Sequence, residues 1–468
     1  MRRGAFTGGI AWLGAASLAV WIGPRLLGQA GAGSPTLSGT MSFVATGDSI
    51  ISRPVSVYRN EAAFQSVART IRDATVAFTN FETTVFNPRE FVPPPQAEFG
   101  GLWNFATPAE VDELKWLGFD MVSRANNHTT DWGTEGMVES NRILDRAGIV
   151  HAGSGQNLAE ARAPAFFQTA AGRVAMISTA SSHSPLSRAA HTRPDIRGRP
   201  GLSFLRIVRT VTLDASTYGA LRNASIAMEV SRTPPGEDEM MFFGTRVRKG
   251  DANRLELGAD ERDVAEIVQH VRSARHQADF VFVTIHAHEP GNWSEVPPAF
   301  LEQFARAAID AGADMVLGHG PHQVRGIEIY RGRPIFYSLG NFLFQFETFG
   351  PQAADVYETY NLDLFRTTIG EFFNSLKGKG LEFKEDVWWE SVVARSVWEN
   401  GAVKTIELHP IDLGHGLPRA QKGTPRTASP ALARKIIERL ARLSKPYGTI
   451  VRLENNIGVI DLGQTLTH

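Results

Sequence analysis

Cysteine is absent from the 468-residue sequence. Its absence excludes disulfide bonds, cysteine-ligated zinc, iron–sulfur clusters and thiol nucleophiles. The sequence also has no excess of either charge, since 48 Lys and Arg residues stand against 49 Asp and Glu residues. A near-neutral chain lacks the clustered basic charge on which nucleic-acid binders depend, so we expect no nucleic-acid partner. Any bound metal must be held by His, Asp, Glu or Asn side chains.

The N-terminal segment has the order of residues that is typical of an export signal. Arg2 and Arg3 precede an apolar stretch without a charged residue before Arg25, and small residues then form a cleavage-site pattern. We interpret residues 1–32 as a signal peptide or a retained N-terminal anchor, followed by a linker over residues 33–40. Both alternatives predict an exported protein, periplasmic or otherwise extracytoplasmic, that leaves by the general secretory or the twin-arginine route. Loss of the segment removes three arginines and no acidic residue, so the exported part is mildly acidic.

Short apolar runs alternate with amphipathic helical patterns from Met41 onward. The apolar runs predict strands that are buried on both faces, over residues 42–46, 74–79, 119–124, 173–179, 280–285, 314–317 and 334–338. Apolar residues at helical spacing predict helices over residues 61–73, 107–117, 134–147, 260–277 and 298–311. This alternation predicts a layered α/β fold of central β-sheets flanked by helices, in one domain over residues 41–468.

Two stretches interrupt the alternation and are predicted insertions. Residues 183–201 are rich in Arg, Ser and Pro and have no apolar periodicity, which predicts a long surface loop. Residues 345–395 follow a predicted strand and carry many aromatic residues among polar ones. We interpret this aromatic segment either as a helical subdomain with its own small core or as a lid or wall of a substrate site.

Five of the predicted strands end in residues of metal-ligand type. The residues at these ends are Asp48, Asn80 and Glu82, Asn126–His128, His286–Glu289, and Gly318–His322. In α/β sheets, function gathers at the carboxyl ends of the strands, so we expect these side chains to converge on one edge of a mostly parallel sheet. Each residue alone has an ordinary explanation as part of a turn or a surface hydrogen bond, but the joint pattern favours a metal site. Such residues bind divalent Mn, Fe, Zn or Mg, and bridging carboxylates can hold two ions.

The same strand ends resemble the successive motifs of the CapA family, which is named for poly-γ-glutamate capsule synthesis proteins. The motifs are Phe43–Asp48, Asn80–Glu82, Asn126–His128 with Asp131–Gly133, Gly318–His322 and Tyr337–Phe342. The resemblance implies a metallo-dependent phosphatase-like fold, similar to that of the calcineurin-like metallophosphoesterases. It covers residues 41–341 and resumes weakly near the C-terminus.

The resemblance also implies roles for particular residues. It implies that two divalent ions are ligated by Asp48, Glu82, Asn127, His286, His319 and His322. It further implies catalytic roles for His128, which would protonate a leaving oxygen, and for Asp131, which would orient that histidine.

This chain departs from the family patterns at two places. The phosphoesterase pattern has a histidine two residues after its first aspartate, where this chain has Ile50. Where many CapA relatives have His-Trp-Gly, this chain has a His-Ala-His-Glu sequence that ends in His288 and Glu289. These two residues either replace lost ligands, contact substrate or only support the ligands. Arg325 is predicted to hold a substrate carboxylate or phosphate, with an exposed ion pair as the alternative. Asn341 either presents its amide to the site or serves only the turn in which it lies.

The resemblance implies an exported protein of poly-γ-glutamate, capsule or envelope-polymer biosynthesis. Its activity would be that of a metal-dependent hydrolase that uses a metal-bound hydroxide on a phosphoester or a γ-glutamyl amide. The alternatives are a metal-dependent phosphoesterase that acts on a small molecule or lipid, and a non-catalytic binding or export component that keeps the fold. The expected partners are a polyanionic polymer or phosphoester substrate and membrane-bound capsule synthesis or export components.

Overall fold

The computed structural model describes residues 37–96, 102–375 and 383–462. Its strands in chain order are β1 (Thr40–Ile50), β2 (Val76–Phe81), β3 (Thr84–Val85), β4 (Phe105–Ala106), β5 (Met121–Ser123), β6 (Val150–Ala152), β7 (Ser154–Gly155), β8 (Ala165–Thr169), β9 (Gly172–Ala180), β10 (Gly201–Leu202), β11 (Ile207–Asp214), β12 (Glu239–Phe242), β13 (Thr245–Gly250), β14 (Arg254–Ala259), β15 (Phe280–His286), β16 (Met315–His319), β17 (Ile327–Tyr330), β18 (Arg333–Phe336), β19 (Asn341–Phe344), β20 (Glu390–Glu399), β21 (Ala402–Asp412), β22 (Arg426–Thr427), β23 (Val451–Glu454) and β24 (Ile457–Ile460).

The α-helices lie between these strands. They are α1 (Ala62–Arg72), α2 (Pro108–Leu117), α3 (Gly133–Ala147), α4 (Leu158–Arg162), α5 (Ala215–Ala227), α6 (Glu261–Arg275), α7 (Ala299–Asp310), α8 (Ala354–Thr359), α9 (Ile369–Ser375) and α10 (Pro430–Ser444). The five helices predicted from apolar spacing are confirmed as α1, α2, α3, α6 and α7.

Helix α2 shows how local sequence sets the ends of an element. Thr107 and Glu110 form a reciprocal capping box at its start, and Pro108 stands at the first helical position, where no backbone N–H is needed. Gly118 ends the helix with φ 101°, a left-handed conformation that side chains other than glycine rarely adopt.

The first of two large sheets contains β1 and the strands around it. Its order is β23-β24-β21-β20-β1-β2-β5-β6, with β19 also paired to β1 and β22 to β21. β1 runs parallel to β2 and β19 and antiparallel to β20. The pairing shifts register on both sides of Asp48, so this residue lies opposite both Asn80 and Asn341. The bulge therefore brings three polar residues from three strands to one place.

The second large sheet has the order β17-β18-β16-β15-β9-β8. Its central strands β9, β15, β16 and β18 are parallel, and the register pairs His286 of β15 with His319 of β16. Adjacent parallel strands thus deliver two histidines side by side at their carboxyl ends.

The two sheets pack face to face through a shared apolar core. Phe282 of the second sheet lies between Phe43 and Phe78 of the first, with ring centroids 5.0 Å and 5.3 Å apart. Helices α1, α2 and α3 cover the outer face of the first sheet, and α6 and α7 cover the outer face of the second. The predicted layered α/β fold is therefore confirmed, with one correction. The metal-ligand residues come from the ends of two facing sheets, whereas we had expected one edge of a single sheet.

A small sheet inserted between β10 and α6 was not predicted. Its order is β12-β13-β11-β14, and α5 covers one face around Tyr218, Met240 and Val247. Ile207 and Leu257 pack against the core under α6 and α7, which fixes this sheet to the larger fold. The preceding residues 183–200 contain neither helix nor strand, as the composition of that stretch predicts.

The aromatic segment after β19 joins the main core and forms no separate one among its described residues. Phe346, Phe349, Tyr357, Phe372 and Phe373 are buried in the same cluster as the apolar residues of α1 and α2. The interpretation as a subdomain with its own core is therefore wrong for the described part. Its other interpretation, a wall of a substrate site, is taken up below.

The predicted signal or anchor over residues 1–32 lies outside the described residues. Within 37–96, 102–375 and 383–462, no helix combines the length and the apolar composition needed to cross a bilayer.

Candidate metal centre

Asp48 lies where the ends of the two sheets meet. Its side chain is fully buried. Its Oδ1 accepts a hydrogen bond from Asn80 Nδ2 at 2.8 Å, and its Oδ2 accepts one from the backbone N–H of Gly320 at 3.1 Å. Gly320 has φ 118°, and a Cβ there would lie 2.9 Å from the backbone nitrogen of Ala287. Only glycine fits this close approach, which places the strand end after β16 against the carboxylate.

Two histidines of the second sheet complete the first cluster. The Nδ1 atoms of His286 and His319 lie 3.8 Å and 3.7 Å from Asp48 Oδ1 and 2.9 Å from each other. Thr284 Oγ1 lies 2.6 Å from His319 Nε2, which fixes that ring so that Nδ1 faces Asp48. One atom each from Asp48, His286 and His319 could therefore hold a single ion.

Glu82, His288 and His322 form a second cluster next to the first. Glu82 is fully buried, and its Oε1 lies 3.7 Å from Nε2 of His286. The same Nε2 is 3.0 Å from Nε2 of His288. His286 therefore stands between the two clusters and turns one ring nitrogen toward each.

Neighbouring asparagine side chains determine which ring nitrogen of His288 and of His322 is free to bind a metal. His288 Nδ1 lies 2.6 Å from Asn292 Oδ1, and His322 Nδ1 lies 3.0 Å from Asn341 Oδ1. Asn341 donates from Nδ2 to the carbonyl oxygens of His322 and Trp388, so its Oδ1 must accept. Both rings then carry a proton on Nδ1 and present a bare Nε2, which is the form that binds a metal.

The donor atoms fit a divalent metal centre. Glu82 Oε1 and Asn127 Oδ1 are buried and have no hydrogen-bond partner among the described residues, a costly state unless a cation occupies the space between them. Burial raises the pKa of Asp48 to about 7, and burial together with Asp48 raises the pKa of Glu82 well above its ordinary value. Burial lowers the pKa of His319 to about 3, which leaves the imidazole neutral. Bound cations would compensate both carboxylates.

His128 and Asp131 form a pair beside the second cluster. His128 Nδ1 lies 2.7 Å from Asp131 Oδ2, and the same oxygen accepts from the backbone N–H of Asn104 at 2.7 Å. Because a carboxylate oxygen accepts here, His128 carries its proton on Nδ1 and directs Nε2 elsewhere. Nε2 lies 3.8 Å from Glu82 Oε1. The pair thus has the arrangement predicted for an acid–base histidine and its orienting carboxylate.

Two asparagines support the ligands, although their motifs did not reveal this role. Asn80 Nδ2 lies 2.8 Å from Asp48 Oδ1 and 3.2 Å from His286 Nδ1. Asn126 Nδ2 in turn donates to Asn80 Oδ1 at 3.3 Å. The sequence signal for this supporting role was position, since Asn80 lies two residues before Glu82 and Asn126 lies directly before Asn127.

A buried arginine holds the backbone on both sides of Glu82. Arg124 Nη1 donates to the carbonyl oxygens of Phe81 and Thr83 at 2.9 Å and 2.7 Å. Arg124 itself is fully buried. An arginine at a strand end carries no sequence signal for such a role, so only the structure identifies it.

The second cluster opens through His288 and His322 into a cavity of ≈ 460 Å³, a size typical of small-ligand sites. Metal-centre side chains, apolar residues and basic residues all contribute to its wall: Ile50, Leu102, Asn104, Asn127, His128, Ser181, Ser182, His183, Arg188, Ile207, Arg209, His288, Glu289, Pro290, Gly291, Asn292, His322, Phe344, Phe346 and Phe383. Phe346 and Phe383 belong to the aromatic segment, which therefore supplies part of a cavity wall.

Glu289 and Ile50 lie in the cavity wall with different consequences. Glu289 Oε2 accepts hydrogen bonds from Ser181 and Ser182 at 2.7 Å and 3.1 Å, which holds its carboxylate at the cavity. Ile50 offers only an apolar surface where the phosphoesterase pattern has a histidine. His288 lies in the second cluster, so the cluster contains a ligand candidate that the pattern does not have.

Arg325 and Asn341 do not line this cavity. Arg325 is buried and donates to the carbonyl oxygens of Ser294 and Glu289, so it fixes the loop after β15. Asn341 is buried and orients His322, as described above. Neither position supports the predicted contact with substrate.

Comparison with known proteins agrees with these observations. The family described as bacterial capsule synthesis protein PGA_cap matches residues 42–346. Two uncharacterized proteins of Sinorhizobium fredii, y4sH and y4uA, are each 41% identical over 430 residues, which cover 90% of this chain and 93% of the relative.

More distant relatives have names that state a process. A probable polyglutamine synthesis accessory protein of Mycobacterium tuberculosis is 28% identical over 279 residues, 59% of this chain and 57% of that protein. The PGA biosynthesis protein CapA of Bacillus subtilis is 26% identical over 234 residues, 50% of this chain and 45% of that protein.

Proposed function

The chain belongs to the bacterial capsule synthesis family PGA_cap, and we propose that it is an exported metal-dependent hydrolase that acts on a polyanionic envelope polymer such as poly-γ-glutamate. One observation carries the hydrolase part of the proposal. Two adjoining clusters, each with one carboxylate and two imidazoles, lie beside an acid–base pair, and His128, His288 and His322 of this arrangement line one cavity. The names of the distant relatives support the polymer.

The chemistry that bound divalent ions supply is Lewis acidity toward a water molecule and toward the oxygens of the substrate. Asp48, His286 and His319 would hold one ion, and Glu82, His288 and His322 a second. Asn127 would add its unpartnered Oδ1 to this set. Manganese, iron, zinc and magnesium all suit such donors.

The chain's own residues perform the proton transfer. His128, when protonated on both ring nitrogens, donates the Nε2 proton to the leaving atom of the substrate and keeps the Nδ1 proton, and Asp131 holds the ring in position through that Nδ1–H. Glu289, fixed by Ser181 and Ser182, accepts an N–H of a substrate amide.

A second candidate function is non-catalytic binding or export of the polymer. Ile50 favours it, because an apolar side chain stands where the phosphoesterase pattern has a ligand. Under this alternative the cavity binds polymer and metal without turnover. Membrane-bound capsule synthesis or export components remain the proposed partners under both candidates.

One experiment separates these functions. The purified full-length chain is loaded with Mn, Fe, Zn or Mg in turn and incubated with poly-γ-glutamate, and chain length is followed by size-exclusion chromatography. A phosphodiester dye is assayed in parallel, and bound metal is measured by inductively coupled plasma mass spectrometry. Metal-dependent shortening of the polymer is expected. Cleavage of the phosphoester alone supports the phosphoesterase alternative, metal and polymer binding without cleavage supports the export component, and absence of bound metal overturns the hydrolase.

Export is tested separately. The first 40 residues are fused to a reporter that is active only outside the cytoplasm, and a fusion that lacks residues 1–32 is the control. Activity of the longer fusion alone is expected, and equal activity of both overturns the proposed export signal.

A further inference from the structure

Two arginines line the same cavity as His288 and His322 of the second cluster. Arg188 belongs to the irregular segment 183–200, and Arg209 lies on β11 of the small inserted sheet. Among the described residues, neither guanidinium forms an ion pair, and Arg188 Nε donates only to His183 Nδ1, at 3.4 Å. Cationic side chains without an acidic partner are therefore directed to a space that a substrate can enter.

The acidic residues near this part of the cavity are already engaged by other arginines. Asp263 is buried and accepts from Arg162 at 3.1 Å and from Arg206 at 2.8 Å. Arg206 also pairs with Asp260. These contacts leave Arg188 without an ion pair among the described residues, although Asp263 lies close enough to act on its charge.

The pKa of Arg188 reflects this imbalance. Burial lowers it, and the positive charge of Arg206 lowers it further, although Asp263 acts in the opposite direction. A bound anion would relieve the repulsion between these guanidinium groups.

His183 adds a neutral donor to the two arginines. Arginine has only donors, so His183 Nδ1 must accept the bond from Arg188, and the proton of the ring must then lie on Nε2. His183 Nε2 is buried and has no hydrogen-bond partner among the described residues. The ring lines the cavity, so it offers a donor that a ligand can satisfy.

One carboxylate, that of Glu289, stands in the part of the wall next to these groups. Its Oε2 accepts from Ser181 and Ser182 and from neither arginine. It thus leaves the arginine charge uncompensated, and it suits a polar N–H of the substrate.

We propose that Arg188, Arg209 and His183 form an anion subsite that binds a second carboxylate or phosphate of the substrate while its reacting group lies at the metal clusters. This inference rests on the proposed function, since it assumes that the cavity binds the substrate. The subsite selects molecules with at least two anionic groups, as in a repeating polyanion, over molecules with one. Both arginines come from insertions in the α/β core, so these insertions set specificity while the strand ends hold the metal.

The test measures binding and turnover separately in the full-length chain. Arg188→Gln, Arg209→Gln and the double variant are compared with the wild type, and Arg197→Gln is the matched control. Arg197 is an exposed arginine of the same segment that does not line the cavity. The probes are a γ-glutamyl oligomer, a linear polyphosphate and, as a molecule with one charge, acetylated glutamate amide. Dissociation constants are measured calorimetrically at two salt concentrations.

We expect each single variant to weaken binding of one multiply charged probe by about tenfold or more, because each removes a charge-assisted hydrogen bond. Binding of the singly charged probe, bound metal and kcat should stay as in the wild type, whereas KM rises. Arg188→Lys should restore part of the affinity. The probe that loses affinity identifies carboxylate or phosphate as the natural group.

Two results would overturn the subsite. One is that the double variant binds both multiply charged probes as the wild type does. Failure of the wild type itself to bind either of these probes has the same meaning. The other is an equal loss for probes with one and with many charges. Failure of the proposed function gives a different result. The chain would then lack hydrolytic activity but still bind the oligomer through Arg188 and Arg209, so the subsite would stand without turnover.

Discussion

The backbone N–H of Gly320 donates a hydrogen bond to Oδ2 of Asp48 across 272 residues of sequence. This bond joins the end of β16 in the second sheet to β1 in the first. The positive φ of Gly320 and the closeness of Ala287 mean that a side chain there would move the strand end away from the carboxylate. The geometry of the first cluster therefore depends on a residue that has no side chain.

Gly320→Ala should destabilise the protein and weaken metal binding together. The strained backbone costs about 1–3 kcal/mol, and displacement of the strand end moves His319 away from Asp48. Thermal unfolding and metal content are the measurements. Gly332→Ala is the control, since Gly332 also has a positive φ of 73° but no atom within 4 Å of the added Cβ. Equal metal loss in both variants would show that backbone strain alone is responsible.

Glu82→Gln should lower bound metal without lowering the stability of the metal-stripped protein. Glu82 Oε1 has no hydrogen-bond partner in the described part of the chain, so its buried charge is a cost that the amide relieves in the absence of metal. Glu328→Gln is the control, because Glu328 is also buried but accepts from Arg306 and Tyr337. It should lose about 1–3 kcal/mol of stability and keep its metal. Wild-type metal content in Glu82→Gln would contradict the ligand assignment.

His288→Gln should reduce metal content, because His288 occupies the second cluster in a chain whose Ile50 offers no ligand. His409→Gln, which changes a histidine that contacts Glu407 away from the cavity, should leave metal content unchanged. Metal content is measured on protein prepared in parallel. Full occupancy in His288→Gln would show that this side chain contacts substrate instead.

His128→Gln should lower kcat by about 10²–10⁴-fold while metal content stays constant, since the variant loses the proton donor and no ligand. Asp131→Asn should lower kcat less, because the amide holds the Nδ1–H of His128 less firmly than the carboxylate does. His415→Gln is a control, as His415 forms a similar pair with Asp386 away from the cavity. Metal loss in His128→Gln would place this histidine among the ligands.

The free energy of unfolding should depend on pH through Asp263. Burial acts to raise its pKa, but bonds from Arg206 and Arg162 outweigh burial and hold the pKa below the ordinary value of aspartate. A carboxyl with a depressed folded pKa contributes stability above its unfolded pKa and loses it as the pH falls through the folded pKa. Asp263→Asn should therefore be less stable than the wild type at pH 7, by about 3–5 kcal/mol.

Chemical denaturation at pH 7 and at pH 3 measures this difference. The gap between Asp263→Asn and the wild type should narrow as the pH falls below the ordinary pKa of aspartate, because the unfolded wild-type chain then takes up a proton that the folded carboxylate resists. A gap of constant size would show that the charge of Asp263 does not stabilise the fold.

The strands and the metal-ligand residues at their ends were predictable because parallel strands deliver their final side chains to one place. Four of these residues follow apolar runs, and no other local sequence signal predicts a site at these positions: Asp48, Glu82, Asn127 and His286. The two-sheet arrangement was not predictable in this way, since an apolar run does not state which sheet it joins. The antiparallel strands β20 and β21 and the long-range pairing of β1 with β19 depend on contacts between distant parts of the chain.

Other features had weak sequence signals for physical reasons. The small sheet of β11–β14 alternates charged and apolar residues over short strands, so it lacks the continuous apolar runs that mark the central strands. Arg124 acts through the backbone of Phe81 and Thr83, and backbone contacts leave no pattern of spacing. Arg325 and Asn341 were predicted from their nearness in sequence to His322 and to the strand turn. Arg325 instead donates to backbone carbonyl oxygens, and Asn341 contacts backbone carbonyl oxygens and the ring of His322.

The ligands divided between two sheets also impose an order on maturation. Glu82 and Asn127 are synthesised long before His319 and His322, and the first sheet is closed by β19 to β24 only afterwards. Each cluster combines a carboxylate of the earlier half of the chain with two histidines of the later half. An ion at either cluster would therefore require both halves to be folded together, so any metal binding would depend on the completed fold.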